Sequence, residues 1–145
     1  MDPHLFTSLE EKVNPAHSAV IVVDVQNDFC ATDGWMGKGC RDLPLGDIQA
    51  MVLRLEKFIN VARAHQVPLI WVRCAYDDVY IGSNQKERVQ RQEFGQPPCL
   101  SETWGQEFYV LKPKEEEVIV TKHRYDAFEG TNLDLILRSN GIRTL

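Results

Sequence analysis

The strongest constraint on the fold is an apolar run from Ala19 to Val23, which Asp24 closes. A strand of consecutive apolar residues has no polar face, so both of its faces must be covered by other parts of the protein. Parallel sheets with helices on both sides meet that requirement. The run therefore predicts a buried strand in a parallel sheet, with Asp24 at its carboxyl end.

Helical and strand patterns alternate after this strand. A glycine-rich loop from 32 to 46 leads to a long helix that Asp47 can cap. The helix has an apolar stripe at three- and four-residue spacing, made of Ile48, Met51, Val52, Leu55, Phe58, Ile59 and Ala62. The run Leu69–Val72 predicts a second buried strand, and Val118–Thr121 predicts a third, with Lys122 at its end.

The pattern is weaker between these strands and clearer after them. A short polar helix is predicted from Lys86 to Glu93, inside an irregular stretch from 76 to 114. Thr131 is predicted to open a helix, with Asp134 completing a capping box. Asn140-Gly141 supplies a left-handed stop for that helix.

The alternation of strands and helices predicts one α/β domain, a three-layer α/β/α (Rossmann-like) sandwich around a parallel sheet. Ile142–Leu145 resembles the approach to a fourth strand, so we expect the domain to be truncated before or at that strand. The loop after the first strand has no GxGxxG pattern, which argues against a nicotinamide cofactor.

Composition narrows the choice of partners. The 145 residues carry a net charge of -5 without a basic stripe, so we expect no nucleic-acid partner. Without an apolar leader or a membrane-length apolar run, we expect a cytoplasmic protein with no membrane partner. The four cysteines form no CxxC pair, and reduced thiols are the simplest interpretation.

Two ionisable side chains, Asp24 and Lys122, follow predicted strands at the edge where open α/β sheets bind ligands. Taken alone, a carboxylate that ends a strand is more typical of a turn or a cap than of a catalyst. The segment Asp24-Val25-Gln26-Asn27-Asp28-Phe29, however, matches the DxQNDF signature of the isochorismatase-like cysteine hydrolases. The segment from Lys122 to Phe128, continuing to Leu133, resembles the lysine motif of the same family.

The resemblance extends from about Ser18 to the C-terminus and implies hydrolysis of C–N bonds in small amides and ureido compounds. It implies that Asp24 takes a proton from a nucleophilic cysteine and that Lys122 supports the charge on Asp24. The cysteine is expected after the fourth strand, beyond Leu145, so this chain alone is expected to be inactive. Cys30 and Cys74 are possible substitutes, but buried spectator thiols are the favoured interpretation.

Five further residues are candidates for substrate binding: Gln26, Asn27, Phe29, Tyr125 and Phe128. Turn chemistry explains the two amides equally well, and the aromatic residues could belong to the core. His123 is expected to point away from Lys122, because adjacent residues of a strand face opposite sides.

The nicotinamidase branch of this family binds a metal through an Asp-x-His pair after the second strand. The corresponding region here offers Asp77 and Asp78 but no histidine, so a solvated acidic turn is favoured over a metal site. The chain therefore most resembles the metal-free amidohydrolases of the ureidoacrylate and carbamoylsarcosine type, and we expect no cofactor.

We therefore expect residues 1–145 to be the N-terminal part of a single isochorismatase-like hydrolase domain acting on a small-molecule substrate. Two alternatives stay open: a non-catalytic binding protein that keeps the pocket, and a vinyl-ether hydrolase of the isochorismatase type. The family resemblance also leads us to expect a homo-oligomer, or a partner that supplies the remainder of the domain.

Overall fold

The computed structural model describes residues 5–40, 42–91 and 95–145. Within them, three parallel strands form one sheet in the order β1-β2-β3. The strands are β1 (Val20–Val23), β2 (Leu69–Cys74) and β3 (Val118–Lys122). Val20 is level with Leu69, and Ile70 is level with Val118. The predicted parallel α/β sheet is confirmed.

Six helices surround the sheet in the described part of the chain. They are α1 (Leu9–Lys12), α2 (Asn27–Cys30), α3 (Trp35–Gly39), α4 (Leu45–Ala64), α5 (Ser83–Arg91) and α6 (Leu133–Ser139). A 3-10 turn, Trp104–Gln106, lies in the long connection between β2 and β3, after α5. None of the described helices is long and apolar enough to cross a membrane.

The sheet is covered on both sides, which gives the expected three layers. On one side, Val52 and Ile59 of α4 pack with Val22 and Trp71. On the other side, α6 packs through Leu133 and Leu137 against a second cluster that contains Ile70, Val72 and Val120. The central strand β2 is therefore apolar on both faces, as the sequence predicts, because each face meets a helix.

The outer strands β1 and β3 are less buried than a strand that is covered on both faces is expected to be. Val23 is 47% exposed and Ile119 is 43% exposed, while Trp71 and Val72 of β2 are fully buried. Among the described strands, β1 and β3 each pair with β2 alone. Each of these two outer strands therefore has one edge that does not pair with another strand of this sheet. The prediction of complete burial holds for the middle strand and is wrong for the first.

The helix starts also differ from the prediction. Helix α4 begins at Leu45 with Pro44 at the N-cap, and the Pro44 carbonyl accepts hydrogen bonds from the amides of Asp47 and Ile48. Asp47 therefore lies in the first turn, where its negative charge suits the helix dipole, and does not cap the helix.

Helix α6 begins at Leu133 and not at Thr131, and the predicted capping box is absent. The Thr131 hydroxyl accepts a hydrogen bond from the Leu133 amide, while Asp134 pairs with Arg138 on the outer face of the helix. The predicted stop is confirmed, since Gly141 has a φ of 66° directly after the C-cap. Helix α5 covers Ser83–Arg91, and the predicted end at Glu93 falls outside the described residues.

The segment after α6 begins to pair beside β1. The Ala19 amide donates to the Thr144 carbonyl, and Ser18 forms a parallel bridge with Thr144. A strand continuing from this bridge would extend the sheet on the side of β1 away from β2.

A partly buried ion pair links α4 to the amino-terminal edge of the sheet. Arg63 of α4 donates from two nitrogens to the two carboxylate oxygens of Glu117, at 2.7 and 2.9 Å. The Trp71 indole and the Lys114 amide also donate to Glu117. These bonds, led by the one from Arg63, lower the pKa of Glu117 from 4.5 to about 2.

This shift predicts a specific acid dependence of stability. Because the pKa of Glu117 is depressed in the folded state, its contribution is present above pH 4.5 and is lost as the pH falls toward about 2. Glu117→Gln should lower the free energy of unfolding at pH 7 by on the order of 2 kcal/mol, measured by urea denaturation. The variant should also lose less stability on acidification than the unsubstituted protein.

Glu115→Gln is the matched control, because Glu115 is an exposed carboxylate two residues away. Equal denaturation midpoints for the Glu117→Gln variant and this control at pH 7 would contradict a stabilising role for the network.

Candidate functional site

Asp24 is held in an unusual backbone conformation at the carboxyl end of β1. Its φ is 57°, in the left-handed region that non-glycine residues rarely occupy. Its amide donates to the Val72 carbonyl, and its carbonyl accepts from the Gln26 amide, both at 2.9 Å. The chain therefore turns immediately after Asp24, still anchored to β2. Residues held in rarely occupied conformations cluster at functional sites.

Lys122 ends β3 and meets Asp24 across the end of β2. The ammonium nitrogen lies 2.9 Å from Asp24 Oδ2, and the lysine side chain is 4% exposed. The ammonium also donates to the Tyr125 carbonyl at 3.1 Å. Because Asp24 and Lys122 belong to strands two spacings apart, roughly 10 Å, the long lysine stem must bridge the gap. The expected convergence of the two side chains is confirmed.

One oxygen of Asp24 is left over from this pairing. Asp24 Oδ1 is buried and has no hydrogen-bond partner among the described residues. A buried carboxylate oxygen without a donor carries a desolvation cost, and such groups call for an explanation. Oδ1 is therefore a hydrogen-bond acceptor that the described residues leave unsatisfied.

Gln26 ties the loop after β1 to two other segments. Its side chain is fully buried. Its amide nitrogen donates to the carbonyls of Cys74 and Gln106, and its amide oxygen accepts from the Cys74 amide at 2.8 Å. With all these bonds made inside the protein, Gln26 holds the backbone beside Asp24 in place. Direct contact of Gln26 with a substrate stays a prediction.

Asn27 and Asp28 fasten the same loop to the segment around the 3-10 turn. The Asn27 side chain donates to the Trp104 carbonyl at 2.7 Å. Asp28 accepts from the amides of Trp35 and Cys99. A β-carbon on Gly105 would lie 2.2 Å from Asp28 Oδ2, so a larger residue there would displace the Asp28 carboxylate. The amides of the motif are bound to backbone, which agrees with the turn-chemistry interpretation.

A cavity of about 450 Å³ opens beside Asp24. Phe29 and Tyr125, two of the predicted substrate-binding residues, line it. Gln26, Asn27 and Phe128 are not among its lining residues, and Phe128 is 47% exposed. The structure therefore brings two of the five candidates to the cavity wall, and a substrate contact by the other three stays a prediction.

Sequence reasoning missed other parts of this wall, among them Trp35 of α3 and Tyr76 after β2. Ile48 and Met51 of α4 also line it, although their helical spacing predicts only packing against the sheet. The signal that could have identified them is their place near the start of α4, the end that follows the glycine-rich loop.

The cysteines are poorly placed to act as nucleophiles. Cys30, Cys74 and Cys99 are buried, and Cys40 is half-buried beside Met36. Cys30 lines the cavity, but burial and the nearby Asp24 charge raise the pKa of its thiol. The hydrogen bond with the neighbouring Cys74 thiol, followed by burial, raises the pKa of Cys99 strongly. Raised pKa values keep the thiols of Cys30 and Cys99 protonated and therefore weakly nucleophilic.

His123 follows Lys122 but takes part in a different cluster. Its Nδ1 lies 2.8 Å from the Ala75 carbonyl, and its ring stacks on Tyr80 with centroids 3.7 Å apart. The ring is engaged away from the Asp24–Lys122 pair, as the alternation of strand residues predicts.

The acidic segment after β2 is also engaged. Asp77 accepts two hydrogen bonds from Ser101, from the amide at 3.0 Å and the hydroxyl at 2.5 Å, and these bonds lower the pKa of Asp77. In the described ranges, no group of three or more His, Cys, Asp or Glu side chains could hold a metal ion.

Comparison with known proteins identifies relatives of this arrangement. The family model for the isochorismatase domain matches residues 18–145. A ureidoacrylate amidohydrolase from Klebsiella pneumoniae is 32% identical over 147 aligned residues, which cover 90% of this chain and 60% of that protein. The chain thus spans about 60% of the length of this curated relative.

Solved structures with the same architecture include two with informative descriptions. A cysteine hydrolase from Pseudomonas syringae pv. phaseolicola matches with a TM-score of 0.70 and 28% identity, covering 98% of this chain and 62% of that one. An N-carbamoylsarcosine amidase from Thermoplasma acidophilum matches with a TM-score of 0.62 and 27% identity, covering 87% and 63%.

The buried amide of Gln26 yields a prediction about the integrity of the site. Gln26→Leu would leave three backbone groups, the Cys74 amide and the carbonyls of Cys74 and Gln106, without their partner. We expect the free energy of unfolding to fall by about 2–4 kcal/mol, measured by urea denaturation. Gln90→Leu, on the exposed surface of α5, is the matched control and should change stability little. Equal stability of the two variants would show that the Gln26 bonds are dispensable.

Proposed function

Since the chain belongs to the isochorismatase family, we propose that it supplies Asp24 and Lys122 to the active site of a hydrolase that cleaves a C–N bond in a small amide or carbamoyl compound. The observation that carries the proposal is the 2.9 Å contact between these two side chains at the wall of a cavity. The relatives described as amidohydrolase and amidase support the choice of a C–N bond.

In the proposed reaction, a cysteine thiol gives its proton to Asp24 and attacks the substrate carbonyl carbon. Asp24 then passes that proton to the leaving nitrogen as the C–N bond breaks, which leaves a thioester. Water attacks the thioester, Asp24 takes a proton from it, and the thiol is restored as the acid product leaves. The atoms balance as amide plus water giving acid plus amine.

Lys122 has an electrostatic role in this scheme. Its ammonium, held by Asp24 and the Tyr125 carbonyl, places a positive charge beside the Asp24 carboxylate, which lines the cavity. A fixed positive charge stabilises negative charge that develops on the attacked carbonyl oxygen. Lys122 is too buried to act as a freely moving surface cation.

We propose further that the nucleophile is supplied by residues outside 1–145. This follows from the burial of Cys30, Cys74 and Cys99 and from the raised pKa of Cys30, the one of these thiols that lines the cavity. The non-catalytic binding protein differs from the hydrolase on this point alone, because it would keep the cavity and lack the nucleophile.

The edge of β1 indicates where such residues would attach. Val20 and Asp24 donate their amides to the β2 side, so the alternation of the strand directs the amides of Ile21 and Val23 to the opposite edge. An open apolar edge invites pairing with another strand. We propose that a further strand covers this edge, contributed by more chain or by a partner copy.

This arrangement predicts how residues 1–145 behave when expressed alone. They should self-associate in sedimentation velocity and release no ammonia from small amides, because the β1 edge is open and the nucleophile is missing. A monodisperse monomer with a cooperative thermal transition would contradict the proposed edge. Amide hydrolysis by this fragment would point to Cys30 or Cys74 as the nucleophile.

The acid–base assignment is tested on protein made from the complete reading frame. Asp24→Asn removes the proton acceptor, and Lys122→Ala removes the supporting charge. Each should lower kcat/KM for amide hydrolysis on the order of a hundredfold or more, with the folded state retained. Ammonia release measures the rate, and circular dichroism checks the fold.

Asp47→Asn is the matched control, because Asp47 is an exposed carboxylate in the first turn of α4. It should leave kcat/KM unchanged. Turnover near the normal rate by a folded Asp24→Asn variant would contradict the proposed role of Asp24 as the proton acceptor.

A further inference from the structure

The cavity beside Asp24 is apolar over most of its wall. Helix α4 contributes Ile48 and Met51, α3 contributes Trp35 and Met36, and the connection after β2 contributes Ile81 and Pro98. Its volume of about 450 Å³ lies inside the range of roughly 300–1,000 Å³ that small-molecule pockets occupy. The wall is therefore built to remove a sizeable apolar group from water.

Charged side chains are nearly absent from the part of this wall that the structure describes. Of the described side chains that line the cavity, Asp24 alone carries a charge at neutral pH, and it already faces Lys122. Tyr76 lines the cavity as a neutral hydroxyl, since burial in apolar surroundings raises its pKa well above the usual range.

The nearby arginines that the structure describes are engaged elsewhere. Arg73 donates to the Thr121 hydroxyl, and Arg124 donates to the carbonyls of Tyr80 and His123. Neither belongs to the cavity wall. A substrate carboxylate entering this space would meet the Asp24 carboxylate, whose ammonium partner Lys122 is already engaged by Asp24 and the Tyr125 carbonyl. It would lose its hydration without gaining a further cationic partner among the described side chains of the wall.

We propose that the substrate of this site is an uncharged amide with an apolar, ring-sized group seated against Ile48, Met51 and Trp35. The proposal rests on the proposed function, because it takes Asp24 to be at the reaction centre. It separates this chain from relatives named for ureidoacrylate, a compound whose acrylate part is a carboxylate. Met51 is then a specificity residue, since it touches the apolar part of the substrate and not the reacting bond.

Two amides that differ in one group test the proposal. 3-Phenylpropanamide and succinamate share the same propanamide part, and a phenyl ring in the first stands where the second has a carboxylate. With protein from the complete reading frame, we expect calorimetry to give at least tenfold tighter binding of 3-phenylpropanamide. We also expect its kcat/KM for ammonia release to be at least a hundredfold higher.

A substitution in the wall adds a second readout. Met51→Lys places a cation in the cavity, so it should weaken binding of 3-phenylpropanamide at least tenfold and strengthen binding of succinamate. Leu53→Lys is the matched control, because Leu53 lies on the same helix, is 59% exposed and does not line the cavity. It should change neither affinity. Met51 is already 39% exposed, so a lysine there can be accommodated.

The outcomes separate this inference from the proposed function. Preference for succinamate, or equal use of both amides, with turnover still lost in Asp24→Asn, would overturn the inference and leave the hydrolase intact. Selective binding of 3-phenylpropanamide that Met51→Lys abolishes, without turnover of either amide, would support the apolar site and contradict the hydrolase. If neither amide binds, the inference is overturned. Measuring the binding of the two amides needs only the unsubstituted protein.

Discussion

The complete burial of β2 is the constraint on which the rest of the structure depends. Trp71, Val72 and Cys74 have no exposed surface, and a strand of this kind needs a partner on each edge and a cover on each face. Strands β1 and β3 fill the edges, and helices α4 and α6 cover the faces. The burial of apolar surface is the main source of stability for such a core, and it contributes roughly 25 cal/mol for each square ångström.

The site follows from this placement. With β2 in the middle, β1 and β3 end on either side of it at the same edge, and only a long side chain can cross the gap between Lys122 and Asp24. The lysine of this charge pair is buried, while Asp24 is partly exposed. The burial of the lysine is acceptable there because the ammonium has a second acceptor in the Tyr125 carbonyl. Gln26 and Asp28 then hold the turn after β1 against the connection that follows β2.

Much of this fold could be predicted from the sequence, because the signals involved are local. The apolar runs in β1, β2 and β3 and the stop at Gly141 each depend on a few adjacent residues. The stripe of α4 was predicted in part, because Val52, Ile59 and Ala62 are buried while Phe58 is 56% exposed. The helix starts were less predictable, since the Pro44 carbonyl and the Thr131 hydroxyl offered alternative first hydrogen bonds. The irregular connection after β2 gave no periodic signal, and its contribution to the cavity depends on contacts between residues distant in sequence.

Family resemblance and physical geometry contribute differently to the site. Resemblance selects Asp24 and Lys122, and the structure places their charged groups 2.9 Å apart. The motif alone did not predict that Gln26, Asn27 and Asp28 form hydrogen bonds to distant backbone groups. Most of these partners lie more than 40 residues away in the sequence. The apolar character of the wall at Ile48 and Met51 required the orientation of α4 against the site.

The central claim is that Asp24 activates a thiol supplied from outside residues 1–145. The most direct measurement is the rate of iodoacetamide alkylation of each cysteine in protein from the complete reading frame, mapped by peptide mass spectrometry. We expect the most reactive thiol to lie outside residues 1–145. We also expect Asp24→Asn to slow the alkylation of that thiol at least tenfold at neutral pH. A most reactive thiol at Cys30 or Cys74, or a reactivity that does not depend on Asp24, would contradict this claim.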